Sequence, residues 1–171
     1  MGFGIRVQNE AVSTTNPATV LISNTVQELG FPASGPNPAT GFAAINVNQG
    51  IFGQTTSRPT NATITSNTVS NVYNSRAIII QQNNSTNTTG SAGLTCADIS
   101  GNNMSNIAGN IGDGTKIRFR QLAGGTFNVR QQTPTAAAIA NELDDANGFN
   151  NPLLVSIGGF PTFNAGACPL P

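Results

Sequence analysis

Three stretches of this chain follow one template: "LISNTVQEL" at 21–29, "ITSNTVSNV" at 64–72 and "ISGNNMSNI" at 99–107. In each, an aliphatic residue (Leu21, Ile64, Ile99) is followed three positions later by an asparagine (Asn24, Asn67, Asn102). Two apolar positions come next: Val26, Val69 and Met104, then Leu29, Val72 and Ile107. A second template precedes each copy: "GIRVQ" at 4–8, "AINVN" at 44–48 and "AIIIQ" at 77–81. It returns as "KIRFR" at 116–120, where its downstream partner has decayed. Successive copies are 40, 33 and 39 residues apart, within the range in which self-similarity marks a repeat architecture. The uneven spacing implies loops of changing length inserted into a constant frame.

The frame is β. The segments are short, β-branched and bounded by Gly, Asn, Ser and Pro, without the 3.6-residue periodicity of helical repeats. A propeller blade needs four strands per repeat, and only two or three strand-like runs fit in each period. A parallel β-helix remains, in which each coil pairs with the next at about 4.8 Å and stacks like residues on like. The expected internal stacks are Ile5, Ile45, Ile78 and Ile117 in one strand and Leu21, Ile64 and Ile99 in another. Asparagine tolerates left-handed backbone at a bend, and its amide can bond the asparagine of the next coil. Asn24, Asn67 and Asn102 are therefore expected to form a structural ladder.

The coils resemble the right-handed parallel β-helix repeats of the pectin-lyase-like superfold, as found in large secreted bacterial β-strand-repeat proteins. The tail "CADISGNNMSNIAGN...TKIRFRQLAGGTFNVRQ...ACPLP" is similar to the C-terminal segment of such proteins. The resemblance implies an all-β, right-handed parallel β-helix of about four coils over residues 1–130. Residues 131–171 then form a C-terminal cap containing one short helix. Enzymes of that superfold cluster Asp, Glu, Arg, Lys or His on one strand face, a pattern this chain departs from.

Composition narrows the chemistry further. The chain has 171 residues, enough for one domain with a core. Only 8% are charged and the seven basic residues balance seven acidic ones, so no field steers nucleic acid or an anionic membrane. There is no His, so His-based triads and metal centres have no starting ligand, and no metal or cofactor is expected. No apolar run is long enough to span a membrane. The cysteines, Cys96 and Cys168, suggest a disulfide in an oxidising, extracellular or cell-surface setting. The start "MGFGIRVQNE" lacks the order of a signal peptide, so an extracellular reading treats Met1 as opening a fragment.

Polar insertions at 9–18, 30–41, 49–60 and 82–94 read as loops leaving the solenoid. The N-x-S/T matches at Asn61, Asn84 and Asn87 are chance products of an Asn/Thr-rich chain. "TPTAAAIANELDD" reads as a helix over 134–143, followed by an apolar strand from Leu153 to Ile157. Together they would cover the last coil, with Cys168 bonded back to Cys96.

Of the carboxylates Glu10, Glu28, Asp98, Asp113, Glu142, Asp144 and Asp145, only Asp144 and Asp145 are adjacent. They read as solvated charges at a helix end, whereas glycoside hydrolysis needs two carboxylates facing one substrate. The outward row of the first strand would stack Arg6, Asn46, Ile79 and Arg118 across coils, flanked by Gln8, Asn48, Gln81 and Arg120. Planar amides and guanidiniums can take sugar hydroxyls or carboxylates, so Arg6, Gln8, Asn46, Asn48, Gln81, Arg118 and Arg120 form the candidate ligand-binding set. No aromatic platform interleaves them, and a solvated sheet face is the plainer reading.

The expected function is thus a non-enzymatic structural or adhesive module of a secreted or cell-surface repeat protein. Its N-terminal coil, with Phe3, Ile5 and Val7, has no recognisable cover. It is expected to pair with upstream coils of a longer chain or with another copy, as a dimer or a head-to-tail fibre. The alternative is a carbohydrate-binding or carbohydrate-cleaving β-helix that uses the Arg/Asn/Gln face.

Overall fold

The computed structural model describes residues 4–9, 17–29, 42–50, 59–73, 75–82, 94–108, 115–121, 126–129, 136–149, 155–158 and 162–163. Along the chain these form β1 (Ile5–Asn9), β2 (Ala18–Ile22), β3 (Thr25–Leu29), β4 (Phe42–Gln49), β5 (Thr60–Thr65), β6 (Thr68–Tyr73) and β7 (Ser75–Gln82). They continue with β8 (Leu94–Ser100), β9 (Asn103–Ala108), β10 (Ile117–Gln121), β11 (Thr126–Val129), α1 (Ala136–Asn147), β12 (Val155–Gly158) and β13 (Thr162–Phe163).

The strands make three sheets, and every pairing within them is parallel. Sheet A runs β1-β4-β7-β10-β12, sheet B runs β2-β5-β8-β11-β13, and sheet C runs β3-β6-β9. The chain visits A, B and C in that order three times. On the fourth pass α1 follows β11, and β12 and β13 then extend sheets A and B once more. This all-β arrangement, with its one helix among the described residues, is compatible with a parallel β-solenoid.

Sheet A has the register that the repeat implies. Ile5 lies beside Ile45, Ile45 beside Ile78, and Ile78 beside Ile117. Val155 of β12 continues this stack. Ile45, Ile78, Ile117 and Phe119 are fully buried in one core with Ile64, Val69, Val72 and Ile99. Alternation explains this: in a strand every second side chain shares a face.

In sheet B one expectation fails by one residue. Leu21 is 67% exposed and pairs with Thr63, while Ile22 takes the buried position beside Ile64, which lies beside Ile99. Corner length is the cause. Thr65 and Ser66 separate Ile64 from Asn67, and Ser100 and Gly101 separate Ile99 from Asn102, but Ser23 alone separates Ile22 from Asn24. Ser66 (φ 56°) and Gly101 (φ 64°) each supply a left-handed step that the first corner lacks. Aligning the copies on their asparagines therefore pushed the neighbouring column out of register, which reverses its face.

In sheet C the core residues Val69 and Val72 are three positions apart, a spacing a regular strand cannot bury on one face. Asn71 between them has φ 55° and is skipped in the pairing with both β3 and β9, so the strand turns over once and presents both valines inward.

The helix expected over 134–143 runs one turn further, to Asn147. Gly148 (φ 67°) ends it, with its N–H donating to the Asp145 carbonyl (3.2 Å) and the Phe149 N–H donating to that of Asp144 (3.1 Å). Asp144 and Asp145 are thus inside the helix. Asp145 is exposed, but Asp144 is buried, contrary to the solvated reading. Ile139 and Leu143 bury into the common core. The strand expected from Leu153 begins at Val155, and Leu153 lies outside the described residues.

Candidate functional site

Two places carry more polar chemistry than packing requires: the corner ladders and the outer row of sheet A. The first ladder is the asparagine column. The Asn24 N–H donates to Asn67 Oδ1 (2.7 Å), and the Asn67 N–H and Nδ2 donate to Asn102 Oδ1 (3.0 and 2.7 Å). Asn67 Nδ2 also reaches back to the Ile22 carbonyl (3.0 Å), as Asn102 Nδ2 does to that of Ile64 (2.9 Å). The column has a further rung. The Asn102 N–H and Nδ2 donate to Oδ1 of Asn147, the last residue of α1, at 3.0 and 2.9 Å. Asn147 Nδ2 donates to the Ile99 carbonyl (2.9 Å) and to Leu143 O in its own helix (2.8 Å). The fourth rung escaped the sequence because a helix, not a strand-like run, delivers it.

A second ladder stands where sheet A turns into sheet B. Asn9, Gln49, Gln82 and Gln121 are paired in register. Gln82 Nε2 donates to Thr95 Oγ1 (2.9 Å) and to Gln49 Oε1 (3.3 Å), the Thr95 hydroxyl donates to Gln49 Oε1, and Asn9 Nδ2 donates to Thr60 Oγ1 (2.9 Å). Gln49, Gln82, Thr60 and Thr95 are fully buried. The signal was in the sequence: the residue just after each copy of the second template is Asn9, Gln49, Gln82 or Gln121.

The candidate ligand row is in register as read. Arg6, Asn46, Ile79 and Arg118 form one line, and Gln8, Asn48, Gln81 and Arg120 the next. Its exposure is uneven. Arg6, Gln8 and Arg120 are exposed and Gln81 and Arg118 half-buried, but Asn46 and Asn48 keep only 4% and 6% of their surface and Ile79 is buried too. The Arg6 guanidinium donates to Gln8 Oε1. Among the described residues, neither Asn46 Oδ1 nor Asn48 Oδ1 meets a donor.

The remaining ionisable groups are structurally engaged. The Ser100 hydroxyl donates to buried Asp98 (3.0 Å). Lys116, just before β10, places its ammonium 4.5 Å from the centre of the Phe149 ring, a cation–π contact. Burial holds that ammonium below the ordinary lysine value, and the Asp144 carboxylate opposes the shift. Glu142 and Asp145 are exposed on α1, and Glu28 lies in β3. Glu10, Asp113, Asn84, Asn87 and Phe3 lie outside the described residues. Asn61 is buried. Cys96 is fully buried and no described cysteine is a free thiol; Cys168 lies outside the described residues. No group of three His, Cys, Asp or Glu that could hold a metal occurs among the described residues, and none of their helices is long and apolar enough to cross a membrane.

No family model, no curated protein and no solved structure matches the chain.

Proposed function

We propose that the chain is a right-handed parallel β-helix of about four coils with a C-terminal cap, serving as a non-enzymatic structural or adhesive module of a secreted or cell-surface repeat protein. Its N-terminal coil is buried in the native assembly. Right-handedness follows from the near-universal hand of parallel crossovers.

One observation carries the reading. The three strands of the first pass, β1, β2 and β3, are each the outermost strand of their sheet, with a described neighbour on one side only. Ile5 and Val7 are half-buried where Ile45 and Val47, at the same positions one pass later, are enclosed. A row of unpaired backbone groups over apolar side chains is a pairing template. Sedimentation tests this: the wild-type chain associates, and Ile5→Glu or Val7→Lys abolishes association while the later coils stay folded. A wild-type chain that remains monomeric at high concentration defeats the reading.

The extracellular part of the proposal rests on the cysteines. A Cys96–Cys168 bond would pin the tail to the third pass, contributing about 4 kcal/mol in the chain-entropy model before any strain. Thiol titration of the denatured, unreduced protein should find no free thiol; two would remove the staple and the compartment with it.

The carbohydrate reading keeps one specific support, the two buried and unpartnered carbonyl oxygens of Asn46 and Asn48 beside Arg6 and Gln8. Hydroxyl donors would satisfy them. A glycan array separates the readings: binding that Arg118→Ala removes favours the carbohydrate one, and a blank array leaves the structural one.

A further inference from the structure

The asparagine column has a direction. Every bond between asparagines points the same way: backbone and amide donors of one rung meet the Oδ1 of the rung after it, from Asn24 through Asn67 and Asn102 to Asn147. Its two ends therefore differ chemically. At the C-terminal end, the amide hydrogen that Asn67 and Asn102 each send forward is turned back by Asn147 onto Leu143 O (2.8 Å). At the other end, the Asn24 side chain is exposed, and its Oδ1 has no partner among the described residues. The column is sealed where α1 ends and open at the first pass.

We infer that the N-terminal face is the docking surface for one further coil of this same chain, entering with parallel strands and an asparagine at the corner, and that the tail of another copy cannot take its place. The inference rests on the solenoid reading above. An entering coil would pair with β1, β2 and β3, give its asparagine N–H and Nδ2 to Asn24 Oδ1, and offer a carbonyl to Asn24 Nδ2. This repeats a contact already made between successive passes. A second copy approaching tail-first brings Asn147, whose amide is committed, so a head-to-tail fibre lacks the donor that the open rung requires.

The test extends the full chain by one coil. A copy of residues 42–74 fused ahead of Gly2 preserves the Ile45-to-Ile78 interval and brings the copy's Asn67 over Asn24. Because stacked repeats gain stability through their shared interface, the extended chain should melt in one transition at least about 4 °C above the original. Asn67→Ala within the added copy alone should remove about half of that gain or more. An unchanged or lower midpoint, a gain that survives this substitution, or fibres of the unextended chain overturns the inference. Ile78→Ala in the unextended chain separates this failure from that of the solenoid reading. If it lowers the midpoint while the extension adds nothing, only the inference falls; if it changes nothing, the stacked core itself is wrong.

Discussion

At the residue scale, Asn67 shows how much one amide can hold. It is buried, takes the Asn24 N–H on its oxygen, and gives its nitrogen to the Ile22 carbonyl behind it and the next asparagine ahead. Asn67→Ala strands groups on both sides, each costing about 1–3 kcal/mol when left buried and unpaired, so denaturant melts should show a loss at or above the upper end of that range. Leu21 and Ile22 make a sharper pair. Ile22→Ala should cost about 2–5 kcal/mol as a core cavity, whereas Leu21→Ser should change stability by less than about 0.5 kcal/mol. Equal losses would restore Leu21 to the core. The asparagines were legible because one residue type recurs at one bend. Leu21 misled because both it and Ile22 are aliphatic, so hydrophobicity could not say which faced inward once the corner length varied. The candidate ligand row was legible in its register but not in its exposure: alternation tells which side a residue takes, not what lies over it.

At the scale of elements, the entry to β1 and the end of α1 show two ways of joining a piece to the stack. A Cβ on Gly4 would stand 2.4 Å from Val26 Cγ1 and 2.8 Å from the Ala44 carbonyl oxygen. Backbone cannot yield as a flexible side chain can, so Gly4→Ala should destabilise by about 1–3 kcal/mol in a thermal melt. At α1, Lys116 is the only lysine in the chain, which makes its titration separable. Since burial lowers its folded value, the unfolded chain holds the proton to higher pH. Between the two values the unfolded state binds more protons, and stability rises with pH. The penalty is fully present at neutral pH and is relieved as the solution becomes alkaline. Stability measured across the alkaline range should show this rise in wild type and lose it in Lys116→Met; an unchanged slope would place the lysine in water. The helix itself was legible from its Ala-rich body. Its extra turn was not, because the stop lies in the backbone of Gly148 and the reason to continue lies in Asn102, distant in sequence.

At the scale of the molecule, pairing bonds run along the stack while the apolar columns fill it, and the two templates hold their registers independently. The short corner at Ser23 demonstrates this, since losing a residue there slid one sheet's sequence against the next without moving either column in space. A glycine inserted between Ser23 and Asn24 should therefore change the melting free energy by less than about 1 kcal/mol. The same insertion between Val20 and Leu21 should cost about 2 kcal/mol or more, because it forces Val20 or Ile22 out of the core. Such a corner is an expansion joint. Lineages of this chain are free to gain or lose a residue there without consequence for the fold, so ancestry would be recorded in the two columns and erased in the distance between them.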